Sequence, residues 1–279
     1  MEKETLVRNA QEHEPKVKGP DTLSGELLHT KHAFPPNNLG YCGPDTRGKI
    51  LDCLQSHSTD EKLLSILTKF EAAYPFVEMI GKSTGKNPFD YKVTEAYWLG
   101  NSLLDNVAPS EFFDFTHQDL SLSRMAAGKK DGLKKAEAKS LFKNLGSLAK
   151  PHHTFYVLGM YARTSDQSGS QSKLLSLMDS CRISWGKVLE VKPKTLLVER
   201  PSLTFSDHKL ALTRPKKTEI QYDSEIHPFS RIGKGDWVSV HWSFASEVLR
   251  PYQVANLKRY TALDILATNA LAESKRESQ

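Results

Sequence analysis

"CRISWGKVLEVKPKTLLVER", Cys181 to Arg200, is where the chain changes character. "RISWGKVLEV" and "TLLVER" are rich in β-branched and aliphatic residues, and "KPK" between them has turn chemistry. Two further short strands follow in "HKLALT" and "TEIQY". "GKGDWVSVHWSFASEVL" opens on a Gly-Asp turn and alternates through Trp237, Val238, Val240, Trp242 and Phe244, which predicts a strand, a bend and a second strand. About five short strands in roughly 70 residues predict a small closed barrel. "RPYQVANLKRYTALDILATNAL" closes as a helix with Val254, Leu257, Tyr260 and Leu263 on one side.

Upstream of Cys181 the hydrophobic period is helical. "GKILDCLQSH" carries Ile50, Leu51 and Leu54 after Pro44 and Asp45, and "STDEKLLSILTKF" places Leu63, Leu64, Leu67 and Phe70 at helical spacing. Similar stripes run through "DYKVTEAYWLGNSLLDNV", "PSEFFDFTHQDLSLSRMAAG", which ends near Gly128, "KKAEAKSLFKNLGSL", "PHHTFYVLGMYA" and "QSKLLSLMDS". The fold class is therefore α+β: an all-α part over 44–180, then an OB-like five-stranded barrel and a C-terminal helix over 181–272. Residues 1–43 read as a tail followed by a Pro/Asn/Gly-rich loop.

Composition bounds the function. The chain has 279 residues, 38% hydrophobic and 25% charged, with a net charge of +5. The lysine-rich stretch from Lys129 to Lys143 is usual for a solvated helix face, so nucleic acid is a disfavoured partner. No run of about 18 apolar residues marks a membrane helix, and the start has no secretory apolar core. Three cysteines, Cys42, Cys53 and Cys181, make no disulfide framework and point to a reducing, cytoplasmic setting. "GKSTGK", Gly81 to Lys86, lacks the spacing of a phosphate loop and reads as a turn between helices.

The chain also carries a resemblance. "CRISWGKVLEV" resembles the opening of the HypC/HupF hydrogenase-formation chaperones, which begin on a cysteine, reach a Pro-Gly pair and enter a β-ribbon. "GDWVSVHWSFASEVL" resembles their second signature, a Gly-Asp turn, a strand ending in Val-His, then Phe-Ala and a closing strand. "YQVANLKRYTALDIL" resembles the helix that follows. Trp185 stands where those chaperones have proline, and Cys181 lies inside the chain instead of at its free terminus. The resemblance implies a small five-stranded barrel and a hydrogenase maturation or assembly role. It places Cys181 and His241 at a metal site for an iron fragment, with the hydrogenase large subunit or other maturation proteins as partners. From about His32 onward the chain also resembles an uncharacterised prokaryotic domain family, sharing "FPPNNLGYCGPD", "CRIxWG" and "GDxVSxHW"; no function comes with that likeness.

A second constellation lies in the helical half. His32, Cys42 and Asp45 fall in "HAFPPNNLGYCGPD", and His152 and His153 are adjacent in "KPHHTFYVLG". Loop-borne Cys and His residues are binding candidates. None has tight metal-ligand spacing, and adjacent helical residues point about 100° apart, so His152 and His153 are poor joint ligands for one ion. An enzyme or metal site built on Cys42 with His152 or His153 is the alternative to the chaperone reading. A third is an oligonucleotide-binding barrel that stacks bases on Trp185, Trp237 or Trp242.

Overall fold

The computed structural model describes residues 24–118, 145–164, 171–224, 226 and 232–277. The lysine-rich stretch, the helix end expected near Gly128 and most of the helix expected at "KKAEAKSLFKNLGSL" lie outside them. Nine α-helices lie among the described residues: α1 (Gly25–Asn38), α2 (Arg47–Ser56), α3 (Glu61–Leu67), α4 (Tyr74–Thr84), α5 (Tyr91–Leu99), α6 (Pro109–Gln118), α7 (His153–Thr164), α8 (Gln171–Cys181) and α9 (Pro251–Glu277). Between α8 and α9 run β1 (Ser184–Val191), β2 (Thr195–Arg200), β3 (Leu203–Ser206), β4 (Lys209–Leu212), β5 (Lys216–Gln221), β6 (Trp237–His241) and β7 (Phe244–Leu249). Among the described residues no strand precedes Ser184.

Five strands close into a barrel in the order β1-β2-β5-β7-β6, and β3-β4 form a separate hairpin. Counted along the chain, the barrel order is first, second, third, fifth, fourth, with the parallel closure between β5 and β7 that an OB-like barrel has. Val188, Leu196, Val198, Ile220, Val238, Val240 and Ala245 fill the interior. Gly186 belongs to this interior: a Cβ there would stand 2.9 Å from Val198 Cβ, so the glycine makes room for the facing strand.

The segment read as a loop through "HAFPPNN" is helical as far as Asn38. Ser24 caps α1 by accepting from Leu27 N–H, and Pro35 and Pro36 fall in its last turn. α1 is buried nearly all round although it carries His29, Thr30, Lys31, His32 and Asn37. Its polar groups find partners from the barrel: Lys31 Nζ meets Glu247 Oε2 at 2.8 Å, and His32 Nε2 meets Ser239 Oγ at 3.1 Å. "GKSTGK" is the end of α4, where Gly85 adopts the left-handed conformation of a C-cap.

Beside the barrel interior, a second core joins the helices to barrel residues and runs from Ala33, Phe76 and Trp98 to Ile183, Trp185 and Leu257. Gly100 is a pivot of this packing. It ends α5 at φ +82°, and a Cβ there would overlap the ring of Tyr260 on α9. Gly100→Ala should cost ~2–4 kcal/mol, from the glycine-only backbone and the overpacked ring together. Urea denaturation measures this; a loss under ~1 kcal/mol would show that α9 can give way.

Candidate metal centre

Three elements converge where the helices meet the open end of the barrel. His153 is the first residue of α7, Cys181 the last of α8, and His241 the last of β6. One atom from each, two ring nitrogens and a sulfur, lie within 4.8 Å of one another. The β6–β7 turn sets this approach. Trp242 and Ser243 both take left-handed backbone (φ +51° and +58°), as a tight two-residue hairpin demands. Trp242 N–H then bonds the Ser180 carbonyl at 2.7 Å, which ties the turn to the end of α8.

His241 has the form of a poised ligand. Its Nδ1 donates to the His32 carbonyl at 2.6 Å, while Nε2 is buried with no hydrogen-bond partner. Burial pushes its pKa down to about 3, partly opposed by that carbonyl bond, so the ring is neutral and Nε2 holds a lone pair. A backbone carbonyl fixing one nitrogen while the other faces the site is how metal-binding histidines are commonly oriented.

His153 is held more tightly. Burial and the neighbouring His241 keep it neutral at ordinary pH. Its Nε2 lies 3.0 Å from the Cys181 carbonyl, which can only accept, so Nε2 carries the proton. Nδ1 faces the Tyr97 hydroxyl at 3.0 Å, and that hydroxyl also reaches the Ala72 carbonyl at 2.7 Å. A metal bond to His153 exchanges one of these hydrogen bonds. Tyr97 can meet that exchange by keeping its proton on Ala72.

Burial pushes the Cys181 thiol up to about 12, with the neighbouring Cys42 adding to the rise and the Trp242 side chain drawing it back. Cys42 is raised too, chiefly by burial. Neither thiol is a ready thiolate at neutral pH; a cation in the site would supply the charge that makes Cys181 one.

These groups line a cavity of about 210 Å³. His153, Cys181, His241 and Cys42 all open onto it, among apolar neighbours that include Phe70, Ala73 and Met178. Tyr41 and Leu177, 65% and 41% exposed, carry the cavity to the surface. Tyr41 stacks on Trp242 at 4.3 Å between ring centroids. The Asn37 side chain holds the Cys42 loop by donating to the carbonyls of Cys42 and Pro44.

His152 does not join the cluster. Its Nδ1 lies 2.5 Å from Asp264 Oδ2, and both residues are fully buried between α7 and α9. The tandem histidines therefore divide at the start of α7: His153 faces the cavity and His152, just before the helix, pairs with α9. Cys42 shares the cavity wall but is not among the three mutually close donors. Asp45 lies at the surface, paired with Arg47 at 3.3 Å. Of the candidate stacking residues, Trp185 is buried, and Lys258 of α9 lies over the Trp237 ring at 4.7 Å.

Four histidines surround Trp98. His32 stacks on it, and His29, His153 and His241 approach at 5.3, 4.6 and 5.8 Å between centroids. His29 went unnoticed in the sequence. Its signal, the spacing of His29 and His32 at i and i+3, becomes readable only once the segment is known to be a helix.

The fold and the site define an OB-like barrel flanked by helices, with two buried histidines and a partly buried cysteine where they meet. The chain belongs to the Family of unknown function (DUF6390), which it matches over residues 21–275. That match spans helices and barrel alike and carries no hydrogenase-chaperone assignment. No curated protein and no solved structure matches the chain. Among the described residues no helix is long and apolar enough to cross a membrane.

Proposed function

We propose that this protein binds a thiophilic transition-metal ion, or a fragment containing one, through His153, Cys181 and His241. The observation that carries the reading is the set of three donors within 4.8 Å, one of them a buried imidazole nitrogen with no other partner. Two imidazoles and a thiolate suit zinc, copper or low-spin iron better than calcium or magnesium, which prefer oxygen. Binding would release the Cys181 proton, so affinity should rise with pH.

Cobalt(II) titration tests this. One equivalent should bind and produce a thiolate-to-cobalt charge-transfer band. Removing a supporting group near a metal typically costs about 10–100-fold in affinity, so Cys181→Ala or His241→Gln, each removing a ligand, should cost at least ~100-fold. Wild-type protein that shows no such band would overturn the reading.

A finer version carries the metal as an iron fragment toward a hydrogenase large subunit or its maturation partners. The apposition of Cys181 and His241 at one end of a closed barrel supports it. Anaerobic co-purification with hydrogenase-maturation proteins should then give infrared bands of iron-bound cyanide and carbonyl that vanish in Cys181→Ala. Cobalt binding without those bands would leave a metal-binding protein with another client.

A further inference from the structure

The same cavity says what a metal held there would meet. Three protein donors leave at least one position open on a four-coordinate ion. All three donors line the cavity, so the open position faces into it. Cys42 lies on the cavity wall outside the close trio, with its backbone carbonyl held by Asn37.

The space is substantial. At ~30 Å³ per water, 210 Å³ corresponds to room for roughly 7 waters. Its walls suit water poorly. Beyond the donors they are ring faces, methyl groups and methylenes, from Ala33, Phe70, Ala73, Trp98, Val157 and Met178. Enclosed apolar cavities of comparable size accept hydrocarbon or aromatic guests, and this one shares their lining while opening to solvent at its Tyr41 and Leu177 end. A charged group placed against such walls would lose its hydration with little to replace it. Of the polar side chains on the wall, Tyr97 is engaged with Ala72 and His153, and the Trp242 indole N–H, which has no hydrogen-bond acceptor, is a single neutral donor beside Cys181.

We propose that the cavity binds a small molecule with one metal-ligating donor atom and an uncharged, aromatic or hydrocarbon body, which occupies the open position on the metal. This rests on the metal-binding reading. The donor end would lie at His153, Cys181 and His241, and the body between Phe70 and Met178. The stacked Tyr41–Trp242 pair, at the surface end, is the way in.

The test compares two near-isosteric pyridines on the cobalt(II)-loaded full chain: 4-ethylpyridine and isonicotinate. Both offer a pyridine nitrogen and differ in the charge of the group remote from the metal; because the ethyl-substituted nitrogen is the more basic donor, each potency is taken relative to that ligand's affinity for aqueous cobalt(II). 4-Ethylpyridine should shift the cobalt d–d bands at a concentration at least tenfold lower than isonicotinate. Ala33→Leu, which adds carbons to the cavity wall, should weaken 4-ethylpyridine by a similar factor, and the thiolate-to-cobalt band read before ligand addition reports whether the donors survived. Equal potency, or a preference for isonicotinate, overturns the proposal. So does the absence of any shift in wild-type protein that shows the Cys181 charge-transfer band, which leaves metal binding intact. Absence of that band defeats the metal reading itself, and this proposal with it.

Discussion

Metal-free protein taken from pH 7.5 to pH 4.5 should lose a third or more of its stability, with the loss beginning near pH 6.5. The cause is the histidine cluster around Trp98. Burial lowers both His29 and His241 to about 3, against an ordinary value of 6.5. His153 is also lowered, well below that value. Between about 3 and 6.5 the unfolded chain takes up protons that the folded protein refuses. Stability is therefore fully present above 6.5 and falls as the pH drops through that window. Each such imidazole contributes a slope of about 1.4 kcal/mol per pH unit, so His29 and His241 together cost about 5 kcal/mol by pH 4.5. A domain's whole stability is about 5–15 kcal/mol. Asp264 works in the opposite direction, because burial raises its carboxyl and protonation relieves it. Urea midpoints at pH 7.5, 6.5, 5.5 and 4.5 measure the balance. A midpoint that stays level to pH 4.5 would mean that the cluster is hydrated or that the cavity opens to admit solvent.

Asp179→Ala should be the most damaging single change near the site that touches no proposed ligand. Arg182 donates to Asp179 Oδ1 through Nε at 3.0 Å and Nη2 at 2.7 Å, and Arg200 Nη2 reaches Oδ2 at 2.9 Å. Leu203 N–H adds a fourth bond at 2.8 Å. One carboxylate thus joins the end of α8 to β2 and β3. Arg182 is fully buried, and burial lowers even its guanidinium, to about 10. Without Asp179, two buried cations face each other unpaired, at a cost of about 3–5 kcal/mol. Asp179 lies two residues before Cys181, so surviving protein should also bind cobalt more weakly. Adding Arg182→Met and Arg200→Met to Asp179→Ala should restore much of the stability, because the damage lies in the orphaned charges. A loss below ~1 kcal/mol for Asp179→Ala would show that water reaches the pair.

Much of the architecture was legible because its signals are local. The shift from helical to alternating period near Cys181 reflects side chains that must face a core within their own element. The Gly-Asp turn before Trp237 and the stripe of α9 are local in the same sense, and the barrel followed from them. β3 was missed, being four residues long and paired only with β4. α1 was missed for a different reason. "GELLHTKHAFPPNN" has no apolar face, since the side chains of Lys31 and His32 are buried against partners more than 200 residues away and that of His29 against Trp98.

By itself the sequence determined the α+β layout, the barrel and its closing helix, and it marked Cys181 and His241 as residues of interest. Only the tertiary structure decided which histidine of the tandem faces the cavity, that Cys42 shares its wall without joining the close trio, and that a buried helix supplies the carbonyl fixing His241. His152 precedes the first residue of α7 and His153 is that residue, and the outcome that His152 pairs with Asp264 of α9 while His153 faces the cavity is set by elements far apart in sequence. The three donors come from α7, α8 and β6, and a hydrogen bond from Trp242 to Ser180 ties the last two together. Such convergence is a property of chain closure in space, so no spacing along the sequence records it.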